Sequence, residues 1–316
     1  MERAGRDLRP LQLRMLVDTT LTQLTTVSSM DAPVVMNQAA AKPATLQRVD
    51  ATGRLAAKLS GGRTRIATLY QDGAAKIRFP TPESDSLEAI LINTAGGLTG
   101  GDRIDWQVEA GPATRIVLTT QASEKLYRAQ DGRAEAQIRL SVGEGAHLSW
   151  LPQETIAYDG SALRRRIEVD LASGASCMLV EPLVLGRRAM GETVHQCLFH
   201  DSWRIRCAGR LVHAEEFRLE GNATSLLSAS ATGNGATAFA TILVIGPDQS
   251  MFVDEMRHKL AGCAALDFGA SAWSVAGTGK LLARIAARDG YALKIAVAQA
   301  VRLLNGSAGL PKIWAS

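Results

Sequence analysis

Alternation of apolar and polar residues is the feature that most constrains the fold of this 316-residue chain. Between residues 163 and 171, apolar residues occupy positions 163, 167, 169 and 171, whereas arginines and acids occupy the even positions. The same alternation recurs in residues 104–109 and 138–142. A period of two marks a strand with one buried face. Further β-branched or apolar runs predict strands at residues 114–120, 177–180, 203–207, 210–219 and 236–245.

Small-residue turns recur through the same region. They lie at Gly111, Gly145 and Gly174, which are 34 and 29 residues apart, and each precedes a new strand. A spacing of about 20–50 residues is typical of structural units that stack on one another. The sequence therefore predicts a mainly β fold, in which the strands form a β-helix-like stack.

Helical spacing of apolar residues appears only near the C-terminus. It predicts a few appended α-helices at Asp248–Gly262, Lys280–Asp289 and Tyr291–Leu304, with Gly262 ending the first of them. We expect Trp314 to dock back on the β body. Residues 1–50 are rich in Thr, Ser, Ala and Gln and lack a sustained period. We therefore predict a poorly ordered N-terminal extension over residues 1–50 and a single β-rich domain over residues 51–316.

Composition disfavours several functional classes. The net charge of +4 is spread along the chain, and aromatic residues make up only 5%, so we expect no nucleic-acid partner. The cluster Arg164–Arg166 is interpreted as a solvated strand face. The four cysteines form no Cys-x-x-Cys pair, which suits a reducing cytosol, and there is no run of about 18 apolar residues. We expect a cytoplasmic protein with no membrane partner.

Two glycine-rich segments invite a ligand-binding interpretation. Asn93–Asp102 contains four glycines within six positions and ends in a carboxylate, and we interpret it as a tight structural turn. Gly277–Lys280 resembles a phosphate loop, but Leu281 stands where that motif needs Ser or Thr. Neither segment predicts a nucleotide site.

Acidic residues beside Gly or Pro at strand ends are the strongest candidates for chemistry. Besides Asp102, they are Glu154, Asp159, Glu181 and Glu192. Carboxylates in apolar surroundings are unfavourable unless they are paired or liganded. These residues either cap turns and pair with Arg187 and Arg188, or they serve as acid/base pairs or as oxygen ligands.

Several of these segments together resemble the urease accessory protein D family, UreD, also called UreH. The resemblance covers residues 60–316 and rests on six motifs in the same order: Asn93–Asp102, Leu151–Ile156, Glu181–Arg187, Gly191-Glu192, Asp201–Trp203 and Pro311–Trp314. The first 50 residues match nothing in the family, and Lys312 stands where the family often has Arg. The resemblance implies a β-helix-like fold and no catalytic activity.

The resemblance further implies a scaffold in urease maturation. Such a protein joins the accessory protein UreF and the nickel-carrying GTPase UreG on apo-urease, in a hetero-oligomer for which dimerisation through UreF is one option. It holds no permanent cofactor, and Ni²⁺ passes through it transiently by an internal channel. On this basis we predict that Asp102, Glu154, Asp159, Glu181 and Glu192 contribute to, or lie near, a polar internal path for nickel.

Two alternatives remain open at this point. The first is a β-helical carbohydrate-active enzyme that uses Asp102, Asp105 or Glu154 as paired acids, although few aromatic residues are present to stack on sugars. The second is a metallochaperone that holds nickel directly through His195, Cys197 and His200, with Cys207 nearby. That spacing matches no standard closed metal site, and we favour a buried cysteine and two surface histidines.

Overall fold

A computed structural model describes residues 47–81, 84–187, 190–247, 249–263 and 265–314. Most of the predicted N-terminal extension therefore lies outside the described residues. The first strand begins at Asp50.

Strands make up most of the described residues. In chain order they are β1 (Asp50–Ser60), β2 (Arg63–Asp72), β3 (Ala75–Arg78), β4 (Leu87–Asn93), β5 (Arg103–Ala110), β6 (Arg115–Thr120), β7 (Glu124–Leu126), β8 (Ala134–Val142), β9 (His147–Leu151), β10 (Thr155–Ala157), β11 (Ser161–Leu171), β12 (Ser176–Leu185), β13 (Cys197–Cys207), β14 (Arg210–Gly221), β15 (Ala238–Gly246), β16 (Leu266–Val275) and β17 (Thr278–Ala287). The α-helices are α1 (Ala223–Ser228), α2 (Val253–Ala261) and α3 (Gly290–Leu304).

The strands form a β-solenoid of about four turns. One side is a seven-stranded sheet in the order β14-β13-β11-β8-β5-β1-β2, and the opposite side contains β16-β17-β15-β12-β9-β6-β4-β3. Each turn adds one parallel strand to each sheet, and the short strands β7 and β10 form a third side between them. The predicted mainly β, β-helix-like fold with helices near the C-terminus is confirmed.

Inward-facing apolar residues stack from turn to turn. In the seven-stranded sheet, successive register partners are Trp106, Ile138, Ile167 and Trp203. In the opposite sheet they are Leu118, Trp150, Leu179 and Leu243. All eight side chains are buried and form one core between the sheets. This stacking is what the alternating sequence pattern predicts.

The recurring glycine turns mark the same corner of successive turns. Strands β6, β9 and β12 follow Gly111, Gly145 and Gly174, and their residues Arg115, His147 and Ser176 are register partners. Gly145 and Gly174 have φ values of 64° and 71°, which favour glycine. The interpretation of this spacing as a stack of coils is therefore confirmed.

The predicted helix at Lys280–Asp289 is wrong. This segment is strand β17, which pairs with β15 on one side and β16 on the other. Leu281, Ala283 and Ile285 face the helices, whereas Leu282 faces the other way, toward the solenoid core. Both faces of the strand carry apolar residues, which conceals its period of two and imitates a helical stripe.

The other two C-terminal helices lie where the sequence predicts them. Helix α2 begins at Val253 and ends against Gly262, and α3 begins after Asp289, whose carboxylate accepts the backbone N–H of Ala292 at 2.9 Å. Both helices cover the outer face of the sheet that contains β12, β15 and β17, and a second core forms there. Trp314 docks on the body as expected, because its Nε1 donates to Thr119 Oγ1 at 3.0 Å. Among the described residues, the helices are too short or too polar to cross a membrane.

Candidate functional site

A buried ion cluster lies in the middle of the solenoid core. Arg165 occupies an inward-facing position on β11, as Leu163 and Ile167 do, and it is only 7% exposed. Its Nε and Nη2 donate to Asp201 Oδ1 and Oδ2 at 3.0 and 2.6 Å, and its Nη1 lies 2.5 Å from Glu181 Oε2. One guanidinium thus bridges carboxylates from both sheets. We call Arg165, Glu181 and Asp201 the interior triad.

Neighbouring side chains hold the interior triad in place. Trp150 Nε1 donates to Glu181 Oε1 at 2.6 Å, and Arg165 Nη1 donates to Thr155 Oγ1 at 3.3 Å. The guanidinium carbon lies 5.5 Å from the centre of the Phe199 ring. Arg165 and Asp201 are therefore held by charge-assisted hydrogen bonds in a buried site.

The interior triad is one positive charge short of neutrality when both carboxylates are ionised. Burial raises the pKa of Glu181 to about 7, although the Arg165 guanidinium and the Trp150 N–H oppose that shift. The two carboxylates raise the pKa of Arg165, so the guanidinium stays charged. A proton on Glu181 would make the site neutral.

Hydrogen bonds and one pair of register neighbours lead from the interior triad to the glycine-rich loop. Thr155 is the register partner of Glu124 on β7, and Glu124 Oε1 accepts from Asn93 Nδ2 at 3.1 Å. Asn93 also donates to the carbonyl of Gly97 at 3.3 Å. Burial raises the pKa of Glu124 to about 7.

In the opposite direction, polar residues lead to the C-terminal end of the solenoid. Glu181, Thr241 and Arg284 are register neighbours on β12, β15 and β17. Arg284 Nη2 donates to the Glu215 oxygens at 2.8 and 2.7 Å, and the Arg284 side chain is 61% exposed. We call Asn93, Glu124, Thr155, the interior triad, Thr241, Arg284 and Glu215 the polar row.

A buried histidine and lysine flank the exposed end of the polar row. Lys280 Nζ donates to the carbonyl of Val212 at 3.0 Å and lies 3.3 Å from His213 Nδ1. His213 Nε2 makes no hydrogen bond and lies 3.8 Å from Glu215 Oε2. Burial and, to a lesser degree, Lys280 and Arg284 lower the pKa of His213 to about 4, so its ring is neutral at pH 7.

Four of the five predicted acids lie at corners of the solenoid instead. Asp102 ends the glycine-rich loop, and its two oxygens accept the backbone N–H groups of Val49 and Thr99, both at 2.8 Å. Gly97 has a φ of 153°, and a Cβ there would lie 2.6 Å from the Lys125 carbonyl oxygen. These contacts support the interpretation of Asn93–Asp102 as a structural turn.

Asp159 and Glu192 together fasten a second corner. Asp159 Oδ1 accepts the backbone N–H groups of His195 and Gln196 at 2.8 and 2.9 Å. Glu192 accepts those of Arg187 and Asp159 at 3.0 and 3.3 Å. The Gln196 N–H lowers the pKa of Asp159, and the Arg187 side chain lowers that of Glu192. Both carboxylates therefore stay ionised.

Glu154 lies at the corner after β9 and accepts from Ser123 Oγ at 2.9 Å. Of the five predicted residues, only Glu181 is in the interior triad. Sequence reasoning missed Arg165, Asp201 and Glu124. The interpretation of Arg164–Arg166 as a solvated face holds for its outer two residues and is wrong for Arg165. Arg165 and Asp201 both occupy inward-facing positions in the alternating pattern of their strands, and this pattern could have identified them as buried charges.

The histidine and cysteine residues weighed as metal ligands do not meet. Cys197 and Cys207 lie on β13, where Cys197 is buried, whereas His200 Nε2 lies 2.7 Å from Glu216 Oε2 and His195 precedes the strand. Within the part of the chain that the structure describes, no group of three or more His, Cys, Asp or Glu residues could hold a metal ion. This agrees with a buried cysteine and two surface histidines.

The acids weighed for carbohydrate chemistry also have separate partners. Asp105 pairs with Arg139 on the seven-stranded sheet, while Asp102 fastens the glycine-rich loop and Glu154 binds Ser123. The fold thus defines a β-solenoid protein, and its interior triad lies buried between the two sheets.

Comparison with known proteins identifies the family. The family model described as UreD urease accessory protein matches residues 49–315. A urease accessory protein UreD from Rhizobium leguminosarum bv. trifolii is 50% identical over 268 residues, covering 85% of this chain and 96% of the relative. The UreD of Mesorhizobium japonicum is 48% identical over 86% of this chain and 96% of its own, and UreD 1 of Brucella abortus is 46% identical over 85% and 95%.

The chain belongs to the UreD family of urease accessory proteins. The resemblance noted from six sequence motifs is confirmed, and a urease accessory role follows. Membership in an accessory family implies a maturation factor rather than an enzyme.

Proposed function

We propose that this protein is a urease maturation scaffold that links apo-urease to the accessory proteins UreF and UreG and passes Ni²⁺ along the polar row toward the urease active site. The observation that supports this proposal is the interior triad. Its contacts and register neighbours extend toward the glycine-rich loop on one side and toward the exposed Arg284 on the other.

The donor atoms of the polar row suit transfer better than storage. Carboxylate and hydroxyl oxygens bind Ni²⁺ less tightly than imidazole or thiolate ligands do. A conduit must admit an ion and also release it, which requires sites of modest affinity. The neutral ring of His213, with its free Nε2 near Glu215, adds a nitrogen donor close to the exposed end.

The corner acids have a different role in this proposal. The structure does not test the sequence-based prediction that Asp102, Glu154, Asp159 and Glu192 lie near the nickel path, and the present proposal places them outside it. Because their oxygens accept hydrogen bonds from the chain itself, we propose that they hold the corners of the solenoid in place. Nickel is cargo in this scheme, no permanent cofactor is needed, and the assembly is cytoplasmic.

Urease maturation in cells tests the path. Urease is co-expressed with its accessory proteins and with Glu181→Gln or Asp201→Asn, and activity is measured per urease complex. We expect about a tenfold loss of activation, as for changes beside metal ligands, with complex assembly intact. Glu192→Gln is the matched control and should activate normally. Normal activation by both interior variants would overturn the path.

Co-purification tests the scaffold separately. The tagged chain should recover the UreF and UreG proteins and the urease subunits together. Recovery of the chain alone from cells that express all of these proteins would contradict the scaffold, whatever the interior variants do.

A further inference from the structure

We propose that Arg165 occupies the place of a divalent cation between Glu181 and Asp201, so that the interior triad is a cation site closed by the protein's own side chain. The identity of the ion as Ni²⁺ rests on the proposed function. The existence of the site does not, because it can be tested without urease.

The contacts of the guanidinium are those that a bound cation would make. Arg165 reaches oxygens of Glu181 and Asp201 from opposite sheets, at 2.5 to 3.0 Å, and the hydroxyl of Thr155 at 3.3 Å. Glu181 Oε2 lies 2.5 Å from Arg165 Nη1, and this ion pair is the contact given for that oxygen. The buried oxygen is thus held by the guanidinium.

The charge count favours exchange of the guanidinium for a divalent ion. With Arg165 in place and both carboxylates ionised, two negative charges face one positive charge. With the guanidinium withdrawn and a divalent ion between Glu181 and Asp201, the site is neutral. Uncompensated charge is costly in a site as buried as this one, where Arg165, Glu181 and Asp201 are 7%, 5% and 4% exposed as residues.

The surroundings offer the guanidinium another partner. Arg165 Nη1 already contacts Thr155, which is the register neighbour of Glu124. A swing toward Glu124 would keep the guanidinium paired while it leaves Glu181 and Asp201 to the ion. Arg165 then competes with the ion for the same oxygens, which weakens binding and prevents the site from retaining the ion.

Nickel binding by the purified full chain tests this proposal. Arg165→Met and Arg165→Gln should bind Ni²⁺ at least about tenfold more tightly than the unmodified chain, because a competing unit charge has been removed. Arg165→Lys keeps the charge and should bind as the unmodified chain does. Arg166→Met is the matched control, because Arg166 faces solvent on the next position of β11. Titration calorimetry and the Ni²⁺-dependent rise in melting temperature are the two measurements.

The double variant Arg165→Met/Asp201→Asn decides whether the gain arises at this site. It should bind no more tightly than the unmodified chain, because one of the two carboxylates is gone. Unchanged affinity in Arg165→Met and Arg165→Gln, or a gain that persists in the double variant, would overturn the proposal. If the single variants fold only with Ni²⁺, refolding on its addition supports the site, and failure to refold with Ni²⁺ contradicts it.

The outcome separates the two proposals. Tighter nickel binding by Arg165→Met together with normal urease activation by Glu181→Gln and Asp201→Asn would keep the cation site and reject the maturation path. The opposite result would reject the site and keep the path.

Discussion

The corner carboxylates and the interior carboxylates of this chain differ in what binds them. Asp159 and Glu192 accept backbone N–H groups at a turn, and their pKa values are lowered. Glu181 lies between sheets, where a guanidinium and an indole N–H bind it and burial raises its pKa. Acidic residues that lie beside Gly or Pro in the sequence thus have two roles: some bind backbone N–H groups at turns, and others form buried ion pairs.

The difference follows from where free backbone donors exist. At a corner the chain leaves its ladder, so N–H groups are available and a carboxylate satisfies them. Inside the solenoid, Asp201 lies on β13, which pairs with β11 and β14, and its carboxylate is bound by the Arg165 side chain. Corner acids therefore stabilise turns by accepting backbone N–H groups, whereas the interior acids are bound by side-chain donors, Arg165 and Trp150.

The largest expected effect is on the interior. Asp201→Ala leaves Arg165 with one carboxylate in a buried site, and we expect a loss of about 3 kcal/mol in the free energy of unfolding. Urea denaturation measures it. Asp170→Ala, an exposed acid on β11, is the control and should change stability by less than about 0.5 kcal/mol. Equal losses of stability in the two variants would show that the buried ion pair of Asp201 contributes no more than an exposed acid does.

Removal of one neutral donor should have a smaller effect on the interior. Trp150→Phe deletes the N–H that binds Glu181 Oε1, and we expect a loss of about 2 kcal/mol because the buried oxygen is left unsatisfied. The same denaturation assay applies. A stability equal to that of the unmodified chain would mean that Glu181 does not need this donor.

The corner should respond to pH in the opposite sense from the interior. Asp159→Asn removes a carboxylate whose pKa is lowered on folding, so its contribution is present above the ordinary pKa of 3.8 and is lost as the pH falls. We expect a loss of about 1 kcal/mol at pH 7 that shrinks in acid. Thermal unfolding at pH 7 and pH 3 checks this, and a loss that grows in acid would contradict it.

The smallest effect should come from Glu124→Gln. The pKa of Glu124 is raised from 4.5 to about 7, so its contribution to stability is present below pH 4.5 and lost as the pH rises through 7. We expect the variant to be more stable than the unmodified chain by about 1 kcal/mol at pH 8 and equal to it at pH 4, since the partly exposed group is screened. If the variant gained more stability over the unmodified chain at pH 4 than at pH 8, the raised pKa of Glu124 would be contradicted.

The sequence predicts the fold better than the site. Alternation predicts the long strands, and the spacing of Gly111, Gly145 and Gly174 predicts their stacking. Strand β17 is misassigned because Leu282 on one face adjoins Leu281 and Ile285 on the other, which imitates a helical stripe. Glu181 is found through its motif, and the phase of Arg165 shows that it points inward. No local pattern shows that residues on β11, β12 and β13 meet across two sheets, and Glu124 lies in a three-residue strand too short to show a period.

The passage of nickel past Glu181 is tested most directly by the nickel content of urease matured in vitro with the Glu181→Gln chain, compared with the Glu192→Gln chain. Each variant replaces one glutamate by glutamine, the first inside the solenoid and the second at a corner. Nickel loading per urease active site should fall with Glu181→Gln and be normal with Glu192→Gln when both assemble fully. Normal loading with Glu181→Gln would show that nickel does not need this carboxylate.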